Sequence, residues 1–240
     1  MKQNANAEFI YQLFALLIAI IIVHATYVSV IRPNADAILQ QQAAQQLAGG
    51  NVTDQRSMYV VLKDYEQETC FILMFWALLI MAYKARLSLQ EKKMLAHAML
   101  NVHQGASILP EDARNLCRPL QELPQRDQQM LAPRTLLIAL TRFSATASVA
   151  AVASAIKDIC QSEADRLDSE LAMIRYITWA IPSIGFIGTV RGIGQALGQA
   201  HQAVEGNIIG VTNSLGVAFN STFIALVISI FIMFFTHQLQ

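Results

Sequence analysis

The sequence predicts an all-α membrane protein with four spanning helices and a cytoplasmic helical domain between the second and third. Three observations predict it. Hydrophobic residues make up 54% of the 240 residues and charged residues only 14%, against about 25% charged in a soluble domain. Four apolar runs approach the roughly 20 residues that cross a bilayer. Lys and Arg are unevenly divided, with twelve in residues 84–175 and three in 32–68.

The first element is an N-terminal segment and spanning helix, 1–31, apolar from Phe9 to Ile31. That run exceeds the 7–15 residues of a signal-peptide core and no small-residue cleavage site follows it cleanly, so an uncleaved helix is expected. Residues 32–68 are mostly polar, rich in Gln and Ala, and are expected to be periplasmic. The second span, 69–84, is short and carries Phe71, Phe75 and Trp76. Lys84, Arg86, Lys92 and Lys93 crowd its end, which places 85–175 in the cytoplasm by the positive-inside rule. Both termini are then cytoplasmic.

Within 85–175 the residues 86–104 read as a helix, and Pro110, Pro119, Pro124 and Pro133 break the chain after it. Thr135–Ile156 is apolar enough to raise the question of a fifth span. Its Arg142 and many Ala, Ser and Thr residues favour a cytoplasmic bundle helix running on through Glu163, Asp165, Arg166, Asp168 and Glu170. If it spanned, the last two helices would invert. The third span is expected at 176–198, a periplasmic turn at 199–208 including Glu205, Gly206 and Asn207, the fourth span at 209–235, and a short tail at 236–240.

The net charge is zero, which argues against nucleic acid as a partner. Cys70, Cys117 and Cys160 lie far apart, with no metal-binding spacing. Neither a Ser/His/Asp arrangement nor a phosphate loop is present. An enzyme is therefore the least favoured class, and no cofactor or metal is expected.

The last two spans carry the informative pattern. The third contains Ile-Pro-Ser-Ile-Gly-Phe-Ile-Gly-Thr-Val-Arg-Gly-Ile (181–193), and the fourth Val-Ala-Phe-Asn-Ser-Thr-Phe-Ile-Ala-Leu (217–226). Pro182, Gly185, Thr189, Gly192 and Ala196 recur every three or four residues and share one helix face. Gly188/Gly192 and Gly194/Gly198 are small-xxx-small pairs that allow close helix approach. Pro182 frees a backbone carbonyl one turn earlier, which must find a partner inside a membrane. On the fourth span Ser214, Ala218, Ser221, Ala225 and Ser229 form a second small stripe beside Thr222. Asn213, Gly216 and Asn220 form a polar line. Such stripes often serve only as glue between helices. The functional reading is that they line a proton-accessible slot, since a hydroxyl both donates and accepts. Neither span holds Asp or Glu. His24 and Arg191 are the ionisable groups expected within the spans, so a titrating carboxylate is expected from another chain.

These residues resemble the MotA/TolQ/ExbB superfamily, the ion-channel subunits of flagellar stator, Tol and Ton systems. The likeness is strongest over 163–235, in the run from Pro182 to Gly192 and in the small-residue fourth helix where Thr222 precedes Phe-Ile-Ala-Leu. The resemblance implies the channel-forming subunit of a rotary motor driven by the proton motive force, in a bacterial inner membrane. It implies a homo-oligomer, a pentamer, around a dimer of a single-span partner carrying a membrane Asp. It implies a proton path past Thr189 and Thr222, which Ser221 and Asn220 would assist, with Pro182, Gly185, Gly188 and Gly192 shaping the pore helix. The coupling ion is the proton, with Na⁺ as the alternative. Arg191, Asn220 and Val217 depart from the residues usual in relatives. The competing readings are a secondary transporter of a small solute and a structural membrane scaffold.

Overall fold

The structure is a computed structural model, and it describes residues 2–47, 57–95, 99–100, 107–204, 206 and 208–239. Among the described residues it is helical with no strand. Four helices among the described residues are long and apolar enough to cross a membrane: Phe9–Gln42, Tyr65–Leu95, Val149–Gly198 and Ile209–Leu239. Glu205 and Asn207 of the expected turn, and 96–98 and 101–104 of the expected 86–104 helix, lie outside the described residues.

The chain divides into two compact units, Met1–Ala82 with Met173–Gln240, and Tyr83–Ala172. In the first, α1 (Lys2–Thr26) runs through a π-helical turn (Tyr27–Ile31) into α2 (Arg32–Leu47). The helix does not end at Ile31, where the polar stretch begins. Pro33 explains the wide turn: in an α-helix its ring would clash with the carbonyl of Ser29 and leave it without a donor. A π-bulge absorbs such a misfit without ending the helix, and the Arg32 N–H bonds the Tyr27 carbonyl across it. The short α3 (Met58–Leu62) is capped by Ser57. It leads into α4 (Tyr65–Leu95), which begins before the expected Thr69 and thereby includes Glu66 and Glu68 in its first turn. Acidic residues there are favoured by the helix dipole. Tyr11 donates to the Leu79 carbonyl at 3.2 Å and Trp76 to the Gln12 carbonyl at 2.9 Å, tying α1 to α4.

The second unit packs α5 (Pro110–Gln121), α6 (Gln125–Gln128), α7 (Leu131–Thr146) and α8 (Val149–Glu170). Its core is Ala113, Cys117, Leu120 and Leu140, flanked by Leu136, Leu137 and Phe143. Pro110 opens α5 and Pro124 precedes α6, positions where a missing N–H costs nothing. The Glu91 carboxylate accepts the Leu131 N–H at 3.0 Å and so caps α7. Thr135–Ile156 is two helices rather than one. Ala147 adopts a left-handed conformation (φ 49°) that ends α7, and Ser148 caps α8. Glu163 pairs with Arg134 at 3.1 Å and with Arg166, and Lys84 pairs with Glu170 at 2.6 Å.

The remaining helices belong to the first unit apart from the first residue of α9: α9 (Ala172–Gly198), α10 (Ala200–Val204) and α11 (Ile209–Leu239).

Candidate functional site: a hydroxyl-lined helix pair under an ionic belt

Helices α9 and α11 run antiparallel and meet along the small residues. Gly185, Gly188, Gly192 and Ala196 are buried on α9, and Ser214, Ala218, Ser221, Ala225 and Ser229 on α11. Three glycines set the approach. A Cβ at Gly185 would collide with that of Ala225. One at Gly188 would lie 2.5 Å from the Ser221 Cβ, and one at Gly192 would lie 2.7 Å from the Ala218 nitrogen. Gly194 and Gly198, the second small-xxx-small pair, face open space. The bare backbones let polar groups on the two helices reach each other.

Thr189 and Thr222 do so, with their hydroxyls in direct hydrogen-bond contact. The Thr189 Oγ1 also reaches the Ala218 carbonyl at 3.1 Å and its own helix's Gly185 carbonyl at 3.3 Å. The Thr222 Oγ1 reaches that same Gly185 carbonyl at 3.2 Å. Two hydroxyls therefore share two carbonyls and each other. There are more acceptors than protons, and proton positions can exchange by rotation of the O–H bonds. Ser221 donates to its own helix at Val217 and accepts from the Gln67 amide at 3.4 Å. Asn220 is half-buried and joins none of these bonds, and Asn213 is exposed. About two helical turns to the other side, Ser229 donates to the Thr178 carbonyl at 3.4 Å. That is the carbonyl whose partner Pro182 removes.

The ionisable groups are differently arranged from the expectation. Arg191 is clamped between Glu66 at 2.8 Å and Asp64 at 3.7 Å. Glu68, 6% exposed, is held by His24 at 2.6 Å and by Arg32, whose guanidinium also stacks 4.4 Å from the Tyr65 ring. Gln67 is wholly buried between these pairs and donates to the Val61 carbonyl at 3.1 Å. Burial pushes the Asp64 carboxyl above the usual carboxylate range, opposed by the nearby Lys63 and Arg191 charges. The result is an ionic belt across α1, α2, α4 and α9 at the level of Gly188–Gly192. Its carboxylates escaped notice in the sequence because Asp64, Glu66 and Glu68 read as part of the polar 32–68 stretch. The available signal was their abutment on the apolar run, which is where a helix's acidic first turn belongs.

Fold and site together define a multi-pass helical membrane protein in which α9 and α11 carry a paired-hydroxyl contact. Residues 127–240 match the MotA/TolQ/ExbB proton channel family. The match covers α7 to α11 and contains Thr189, Thr222 and Arg191. Comparison with curated proteins and with solved structures finds no match.

Proposed function

We propose that this chain is the channel-forming subunit of a motor that couples proton flow across a bacterial inner membrane to mechanical work. In this reading it assembles as a homo-oligomer, a pentamer, around a dimer of a single-span partner whose membrane Asp alternates between neutral and charged. The observation that carries the reading is the Thr189–Thr222 contact on glycine-thinned helices within the residues that match a proton channel family. The pair offers the partner's acid a polar rest in a region where a bare carboxylate is costly. Each proton crossing about 100 mV releases roughly 2.3 kcal/mol, so several must be coupled to each working step.

The ionic belt is taken as the outer water boundary, because a network of this many charges is expensive inside hydrocarbon. From Ala172 to Arg191, α9 offers about twenty residues, or roughly 30 Å, which spans the bilayer below the belt. The outer ends of α9 and α11, with Gln195 and Asn213, and α10 between them, with Gln202, then project into the periplasm. Both termini and the Tyr83–Ala172 unit are cytoplasmic.

The test is proton uptake by the native complex reconstituted in vesicles under an imposed potential. Thr189→Ala and Thr222→Val are each expected to lower the flux by at least about tenfold while the complex still purifies intact. Normal flux in both variants would remove the pathway. Co-purification of a small single-span protein with a membrane Asp tests the partner.

A further inference from the structure

We infer that Glu66 is the carboxylate through which protons from the outer water reach the Thr189–Thr222 pair. This rests on the channel reading above, but it assigns a relay to the chain itself and not to a partner. Four observations carry it.

The first is position. Glu66 and Ser221 crowd the same bare glycine: a Cβ at Gly188 would lie 2.7 Å from the Ser221 Oγ and 3.2 Å from the Glu66 Cγ. Ser221 and Gly188 immediately precede Thr222 and Thr189 in the chain. Glu66 thus sits beside the two residues that lead into the hydroxyl pair. The second is availability. Glu68 is held from two sides, by His24 and Arg32. Glu66 engages Arg191 through Oε2, and among the described residues its Oε1 accepts no bond.

The third is continuity. The next residue, Gln67, is 0% exposed and donates to Ser221, which links the belt to α11 at the hydroxyl level. The fourth is a group of unpartnered buried polar atoms around this point. Gln67 Oε1, Asp64 Oδ2 and Arg191 Nε have no hydrogen-bond partner. Buried polar atoms are nearly always bonded, and where protein does not supply the partner, water does. All three belong to residues next to Glu66, Gln67 in the chain and Asp64 and Arg191 through the ion pairs, and water is the partner such atoms usually find.

The step balances simply. A hydronium from the outer side gives its proton to a Glu66 oxygen and becomes water. The Glu66 O–H then passes that proton to water at the threonine pair, and the carboxylate is restored for the next turn. Arg191 holds the carboxylate in place and keeps it from being displaced toward bulk solvent.

The experiment is the same vesicle measurement on the native complex, with Glu66→Gln, Arg191→Gln and the double variant. Glu66→Gln is expected to lower proton uptake at least about tenfold, Glu66→Asp to retain most of it, and Arg191→Gln to conduct. The double variant separates relay from charge balance. If Glu66 only neutralises Arg191, removing both charges restores flux. If Glu66 relays protons, the double variant stays as slow as Glu66→Gln. Wild-type flux in Glu66→Gln, or recovery in the double variant, overturns the inference. Should the single variant fail to assemble, the double variant removes the Glu66–Arg191 pair together, leaving Asp64 beside Lys63, and carries the test. Loss of flux in Thr189→Ala with normal flux in Glu66→Gln would leave the channel reading standing and remove only this assignment.

Discussion

Gly188 is where one missing methyl group governs the site. Its neighbours on α11 are a rigid Cβ and a hydroxyl, so Gly188→Ala cannot be absorbed by a flexible side chain and must push α9 from α11. Overpacking of this kind costs about 1–3 kcal/mol, and the separation also parts the Thr189 and Thr222 hydroxyls. Gly194 is the matched control, since its added methyl meets nothing. Thermal unfolding in detergent is expected to show Gly188→Ala lowered and Gly194→Ala unchanged or slightly raised, because Ala favours helix over Gly by up to about 1 kcal/mol. Equal effects at both sites would mean that close approach at Gly188 is not what holds the pair. Spacing in the sequence revealed the small-residue faces of both helices. It did not distinguish Gly188/Gly192, which touch α11, from Gly194/Gly198, which do not, because the two pairs are chemically identical and only the tertiary crossing separates them.

Two prolines show how an element tolerates a lost hydrogen bond. Pro33 is met by a π-turn, whereas Pro182 leaves α9 helical and its orphaned Thr178 carbonyl is met by Ser229 from α11. The sequence announced the orphan but not its partner, since one turn of α9 finds its counterpart fifty residues away. A double-mutant cycle tests the pairing. Ser229→Ala alone is expected to cost about 1 kcal/mol of stability, the ordinary net worth of a hydrogen bond. In a Pro182→Ala background the N–H of residue 182 returns to Thr178, and the Ser229 change is expected to cost less than half as much. Additive effects would show that Ser229 does not serve that carbonyl. The start of α4 was harder to read. Hydropathy located the apolar core of the helix, but the acidic turn before it looks like a loop until Arg32, Arg191 and His24, distant in the chain, are seen to neutralise it.

At the scale of the molecule, the helical class and the four spanning candidates were legible because composition and run length report directly on burial in lipid. The level of the bilayer was not, because it depends on which charges meet across helices. Orientation has a direct test in the cysteines. Cys70 and Cys117 are buried, and Cys160 on α8 is exposed. In intact cells a membrane-impermeant maleimide is expected to leave the chain unlabelled, while a permeant one labels Cys160. Labelling of Cys160 by the impermeant reagent would invert the topology. The ionic belt has one more consequence. Between Glu68 and Lys84 only fifteen residues of α4 remain, about 22 Å of helix, against some 30 Å of hydrocarbon in an average bilayer. On the proposed topology, with the belt at the outer water boundary, lipids beside α4 shorten or the ends of this helix reach for headgroups. In that reading the hydrophobic barrier is thinnest where the proposed proton path runs.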